Sequence, residues 1–314
     1  MKKSFFKKNV LIAGGTGFIG YHLCKAFLEK NYNVISISTK APIKSRKISG
    51  VKYLLCDLVN IKRLRQLILK KNYNIVLNLA GYADHSKKTK TYKSHFIGIK
   101  NLTNILLLKK IELFIQIGSG LEYGKKNFSH KESSTCKPLS IYALSKYKAT
   151  NHILGLFKKY NFPATVIRAY QIYGPGQSNN RLIPQIIISS LKDKKFDCTE
   201  GSQIRNFLHI KDFNNFIFKL IERKEKAFGQ IFNLGYEKSF KVKFLIKKII
   251  EYIGGGKPIF GSIKMRKDES LKMHPSINKA KKFFKWSPKI NLKTGLKNTI
   301  NFYEKKKFQS KYYN

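Results

Sequence analysis

The chain has 314 residues, 42% of them hydrophobic and 13% aromatic, which excludes a disordered composition and allows one large domain or two lobes. Its formal net charge is +46, from 63 Lys and Arg against 17 Asp and Glu. The excess is almost all lysine, spread over the whole chain without a basic tail or Arg-rich stripe, so a lysine-biased composition is favoured over a specific nucleic-acid partner.

Val10 to Ala13 is a short apolar run that predicts a strand and leads into Gly14-Gly15-Thr16-Gly17-Phe18-Ile19-Gly20. A helical pattern follows over Tyr21 to Lys30, Asn31-Tyr32-Asn33 breaks it, and Val34 to Ile37 predicts a second strand. Further strands are expected at Lys52 to Leu55, Ile75 to Asn78, Phe114 to Ile117 and Thr165 to Ile167, with helical patterns between them. Such alternation implies an α/β fold with a doubly wound, parallel Rossmann sheet and right-handed crossovers. After Tyr173 the alternation weakens. A loop runs from Gly174 to Asn180, and helices are expected over Ser276 to Lys285 and Leu292 to Lys305. The expected division is a Rossmann domain over 1–172, with a return segment near 205–235, and a smaller lobe over 173–204 and 236–314. The basic start lacks the apolar stretch of a signal peptide, and no segment offers roughly 18 uninterrupted apolar residues. Cys24, Cys56, Cys136 and Cys198 lie far apart with no CxxC or Cys/His cluster, so neither a disulfide framework nor a metal site is indicated. A cytoplasmic protein is expected.

Three patterns carry chemistry. The glycine motif is weak by itself, because glycines also mark turns, but here it follows a strand and opens a helix. Gly14 would permit the tight turn, Gly17 the approach of a pyrophosphate, and Gly20 close helix–strand packing. The helix N-terminus would supply N–H groups and a positive dipole end. At the end of the second strand an NAD enzyme usually carries an acid for the ribose hydroxyls; Ser38, Thr39 and Lys40 stand there instead, with Lys44 and Arg46 beyond. Hydroxyls and cations suit a 2′-phosphate, so NADP(H) is favoured and NAD(H) remains possible. Asp57 is placed to accept from the adenine amino group, or to cap the following helix. Finally, Tyr142 and Lys146 are spaced i, i+4 on one helix face, where an ammonium beside a phenol favours the phenolate. An accidental pair is a real competitor in so lysine-rich a chain. Ser119, at a predicted strand tip, argues against accident because its hydroxyl can bond the same substrate oxygen as Tyr142.

Gly14 to Gly20, Asp57, Asn78-Leu79-Ala80-Gly81, Ser119 with Glu122-Tyr123-Gly124, Tyr142/Lys146 and Arg168…Tyr173-Gly174-Pro175-Gly176 occur in one order. Arg205 to Asp212 and Trp286-Ser287-Pro288 complete it. Together they resemble the extended short-chain dehydrogenase/reductases acting on nucleotide sugars. The resemblance implies Tyr142, Lys146 and Ser119 as the catalytic set. It implies a cofactor site of Gly14, Gly17, Phe18, Ile19, Gly20, Ser38, Thr39, Lys40, Asp57, Leu58, Leu79, Ala80, Gly81, Tyr142, Lys146 and Tyr170. Substrate would meet Ser119, Gln171, Arg181, Arg205 and Arg266, the arginines serving as planar bidentate donors to a diphosphate. The competing reading makes these surface arginines paired with Asp212 or Asp268.

Two departures from the pattern stand out. Gly120 and Leu121 occupy the places where the dehydratases of this family carry Asp-Glu, and His95 stands where Asn is common. The implied activity is NADPH-dependent reduction of a 4-keto-6-deoxy nucleotide-diphosphate sugar. The alternative is a nucleotide-sugar 4-epimerase with tightly held NAD, and a non-catalytic nucleotide- or RNA-binding Rossmann protein comes from another class. A homodimer is implied through helices around Lys93 to Leu108 and Tyr142 to Tyr160.

Overall fold

The computed structural model describes residues 7–312 except 83, 85, 127–128 and 266–268, with side chains described as far as residue 305. Among these residues no helix is long and apolar enough to cross a membrane.

In chain order the first half runs β1 (Asn9–Ala13), α1 (Phe18–Glu29), β2 (Asn33–Ser38), β3 (Val51–Leu55), α2 (Ile61–Leu69) and β4 (Ile75–Asn78). It continues with α3 (Lys88–Tyr92), one π turn (Lys93–Ile97), α4 (Gly98–Leu106), β5 (Leu113–Ser119), α5 (Ile141–Tyr160) and β6 (Ala164–Ala169). Then follow β7 (Gln171–Tyr173), α6 (Leu182–Leu191), β8 (Lys195–Cys198), β9 (Ile204–Arg205), β10 (Phe207–His209), α7 (Ile210–Glu222) and β11 (Ile231–Leu234). The end of the chain adds β12 (Phe240–Lys241), α8 (Val242–Ile253), β13 (Lys257–Phe260), α9 (Asn278–Phe284) and α10 (Leu292–Tyr312).

One seven-stranded sheet has the order β11-β6-β5-β4-β1-β2-β3, and β1 to β6 pair in parallel. Its central strands are apolar on both sides: Val10, Leu11, Ile12, Ala13, Val76 and Leu77 are all buried. That is the signature of a parallel sheet covered on both faces. The strand order reverses between β1 and β4, which makes that point the crevice where open sheets of this kind bind ligands. The expected doubly wound Rossmann sheet is therefore present. Helix α1 starts at Phe18, three residues before the apolar period becomes visible at Tyr21, because Gly17 already serves as its N-cap.

The chain forms two compact units, 1–124 with 135–169 and 216–232, and 125–134 with 170–215 and 233–314. The core of the first gathers Leu64 and Ile68 of α2, Ile99 and Leu102 of α4, and Ile153 of α5 against the sheet strands. The second has its own core, in which Ile183, Ile186 and Ile187 of α6 meet Leu245, Ile246 and Ile249 of α8 and Leu296 and Ile300 of α10. The i, i+3, i+4, i+7 spacing of Val242, Leu245, Ile246 and Ile249 turns these four side chains inward and leaves Lys247 exposed. Segment 125–134 joins the second unit through a bridge from His130 to Pro275 and through Asn233, which donates from its side chain to the His130 carbonyl. No local pattern in the sequence signals that pairing.

Candidate active site

The parallel strands of the first unit end together at Ala13, Ser38, Leu55, Asn78 and Ser119. The glycine loop sits at the first of these ends. Gly14 has φ +83°, a conformation that L side chains rarely adopt, and a Cβ there would lie 3.0 Å from the Ala80 nitrogen. A Cβ on Gly20 would lie 2.2 Å from the Gly14 carbonyl oxygen, so only glycine lets α1 close onto the loop. Helix α1 has neither a side-chain cap nor an acid in its first turn. Its exposed dipole end and a cradle that any Cβ would fill fit the diphosphate of a dinucleotide.

At the tip of β2 the Ser38 hydroxyl accepts from the Thr16 N–H at 3.4 Å, while Thr39 and Lys40 are exposed. Arg46, on a 3₁₀ turn at Lys44–Arg46, donates Nη1 to the Thr16 carbonyl at 3.4 Å. A guanidinium and a hydroxyl therefore meet the glycine loop where an acid would stand in an NAD site. Asp57 is exposed and its Oδ1 accepts from the Val59 N–H at 2.9 Å. It does not cap α2; Asn60 does, accepting from the Arg63 N–H. The Leu58 side chain lies in the core and its carbonyl accepts from Asn101. Leu79 and Ala80 are held by the Ala13 carbonyl and the Asn78 side chain.

The three residues expected to be catalytic belong to β5 and α5. Ser119 ends β5 and caps the 3₁₀ turn Gly120–Tyr123: its Oγ accepts from the Leu121 N–H at 3.2 Å, which leaves its O–H able to donate. Ser140 caps α5 and sets Tyr142 in the first turn, half-buried. One turn on, Lys146 is 4% exposed, and its Nζ donates to the Ile117 carbonyl at 2.7 Å and lies 6.0 Å from the centre of the Tyr142 ring. Burial pushes the Lys146 ammonium down to about 8, against an upward pull from the Glu122 carboxylate. The spacing thus reflects a built arrangement, with the lysine inside the protein and not on a solvated face.

His95 finds its place on the π turn, a distortion often found at functional sites. Its ring is buried, stands edge-on to Tyr142 with centroids 5.0 Å apart, and its Nε2 lies 3.2 Å from the Tyr82 carbonyl. A Cβ on Gly81 would lie 1.8 Å from the His95 Cε1. The His95 ring thus fills the space that a side chain at residue 81 would need.

The second unit carries the other expected residues. Tyr170 is buried and its hydroxyl is 2.6 Å from His130 Nδ1. Gln171 is exposed at the start of β7, and Arg181 is exposed at the N-cap of α6. Arg205 is not a surface arginine: it is 5% exposed, ion-paired with Glu269, and donates Nη1 to the Ile204 carbonyl. Asp212 is not its partner, since that carboxylate accepts the Lys289 and Ile290 N–H groups. Arg266 and Asp268 lie outside the described residues. Sequence reasoning missed His130 and Glu269 and saw Glu122 only as part of the Ser119 motif, because their partners Tyr170, Arg205 and Arg168 are distant in sequence.

Residues 10–235 match the model of the NAD dependent epimerase/dehydratase family, and the chain belongs to that family. It is 28% identical over 323 residues to a human dTDP-D-glucose 4,6-dehydratase, covering 95% of this chain and 90% of that one. It is 27% identical over 305 residues to the CDP-abequose synthase of Salmonella typhimurium, covering 95% and 99%. Its fold matches the crystal structure of a Bacillus cereus UDP-glucuronic acid 4-epimerase in complex with UDP-glucuronic acid and NAD, at a TM-score of 0.86 and 23% identity, covering 95% and 99%.

Gly81→Ala should lower the melting temperature, and His95→Ala in the same chain should restore part of the loss. Thermal unfolding of the two single variants and the double variant measures this coupling. Additive losses would show that the two residues do not share the space.

Proposed function

We propose that this chain is an NADPH-dependent reductase of a 4-keto-6-deoxy nucleotide-diphosphate sugar. The nicotinamide supplies the hydride. Ser119 donates its O–H to the ketone oxygen and orients it. Tyr142 gives its phenolic proton to the forming alkoxide as general acid. Lys146, an ammonium below about pH 8, favours the phenolate that Tyr142 leaves and would also donate to the ribose hydroxyls. The observation that carries this reading is the junction of β5 and α5, where Ser119, Tyr142 and Lys146 share one end of the sheet with an uncapped helix and a side-chain-free cradle.

Gly120 and Leu121 supply no acid for water elimination, which separates this site from the expected dehydratase pattern despite the similarity to a dehydratase. Ser38 and Arg46 at the glycine loop support NADPH. Arg205, with Arg181, Gln171 and Arg266, is assigned to the substrate; a diphosphate would share the Arg205 guanidinium with Glu269.

A second reading is supported by the family's name and by the NAD in the Bacillus cereus epimerase structure. The same three residues would serve a 4-epimerase that recycles tightly held NAD. Reduction consumes one NADPH per sugar and epimerisation consumes none, so cofactor balance separates the two.

NADPH should bind more tightly than NADH, and Ser38→Asp should reverse that order by repelling the 2′-phosphate; fluorescence titration measures both. A native preference for NADH would overturn the cofactor assignment. Tyr142→Phe should lower turnover by ~10²–10⁴-fold with little change in NADPH affinity, and near-native turnover would dismiss Tyr142 as the acid. The helices α4 and α5 should pair across a twofold homodimer, which light scattering at micromolar concentration checks.

A further inference from the structure

Behind Ser119 lies a buried cluster of charge. Glu122 is fully buried, and each of its carboxylate oxygens is used. Oε1 accepts from the Ser119 N–H at 2.8 Å. Oε2 accepts from the Thr150 hydroxyl at 2.9 Å and from Arg168 Nε at 2.8 Å. One carboxylate therefore ties together the end of β5, the middle of α5 and the end of β6. Thr150 lies one turn beyond Lys146, so the same face of α5 carries both. The Arg168 side chain is 3% exposed, and its guanidinium sits 4.5 Å from the centre of the Tyr123 ring. Room for the carboxylate exists because residue 118 is glycine: a Cβ there would lie 2.6 Å from Glu122 Oε1.

A buried ion pair is weak evidence of stability, because two well-packed apolar side chains often serve as well. Charge here has a neighbour to act on. Lys146 donates to the Ile117 carbonyl, two residues before Ser119, and it sits in the field of Glu122. Lys146 faces Glu122 and, on its own helix, Tyr142 with His95 against that ring; Glu122 in turn faces Arg168 on β6, beside which stand Tyr123 and Cys136.

We infer that Glu122 is a positioning residue: it fixes Ser119 through the main chain and holds Lys146 in its charged form. The inference rests on the catalytic roles assigned above to Ser119 and Lys146. With the carboxylate removed, Lys146 keeps its burial and loses its compensating anion. Its proton would then leave at a lower pH, and Tyr142 would lose the neighbouring positive charge in the neutral range.

The test uses the full chain labelled with ¹³C at the lysine ε-carbons and titrated by NMR. Most exposed lysines titrate near ~10.4, and Lys146→Met identifies the Lys146 signal, expected near 8. Glu122→Gln should move that titration down by about one unit and move the alkaline limb of kcat with it, at unchanged NADPH affinity. A packing role alone would shift neither. Glu122→Gln leaves Arg168 buried without its anion and can fail to fold, so Glu122→Met/Arg168→Met is made in parallel. That double variant should fold and bind NADPH, yet lose about tenfold or more in kcat because the Ser119 N–H has no acceptor. A Lys146 titration unmoved in Glu122→Gln, or wild-type kcat in the double variant, would overturn the inference. If the wild type turns over no 4-keto nucleotide sugar, the proposed function fails instead, and the Lys146 titration still decides the role of Glu122.

Discussion

The first unit is organised around a costly group, the ammonium of Lys146 at 4% exposure. Taking an ionised amine out of water is expensive unless dipoles and an opposite charge replace its hydration. The Ile117 carbonyl supplies the dipole at 2.7 Å. That carbonyl also accepts from the Gln116 side chain, whose Oε1 takes Asn78 Nδ2 at 2.8 Å, and Asn78 Oδ1 in turn takes the Ala80 N–H. A continuous run of hydrogen bonds, buried except at its Ala80 end, thus links the lysine on α5 with β5, β4 and the loop that crosses the glycine cradle. Networks satisfied in this way are rigid, and losing one member leaves its neighbours short of partners. The ends of β4 and β5 are for this reason among the least adjustable parts of the molecule.

The sheet was legible in the sequence because both of its signals are local. Apolar runs at Val10 to Ala13 and Ile75 to Asn78 mark strands buried on both faces, and the glycines that follow β1 are those a tight turn and a close helix demand. That Tyr142 and Lys146 share one helix was equally legible, from their i, i+4 spacing. The partners of these residues were not. Glu122 meets Arg168 across 46 positions and His130 meets Tyr170 across 40, and no periodicity encodes such meetings. His95 shows the same limit. Its identity announced a departure, but no spacing in Lys93–Ile97 foretells the π turn that carries it, or that its ring would lie against Gly81 and Tyr142. The cap of α2 failed for another reason: Asp57 and Asn60 are both good caps, and the choice between them depends on where the loop after β3 turns.

The surplus of positive charge also takes on meaning in the structure. Several of the chain's few acids serve defined internal partners: Glu122 holds Arg168, Glu269 holds Arg205, Asp212 takes two N–H groups ahead of α10, and Glu132 takes the Asn233 N–H. Both of these arginines are almost wholly buried, as suits a delocalised, weakly hydrated cation that meets carboxylates side-on. Lysine, strongly hydrated, covers the outside, where single ion pairs contribute little. Removing one of these four acids would leave its donors without that acceptor. A basic surface raises the local concentration of any polyanion and speeds its encounter, an effect that salt screens. Dinucleotides and nucleotide sugars are such anions. The cradle at α1, which adds N–H donors where the general field ends, then needs to select only among ligands that the surface has already drawn in.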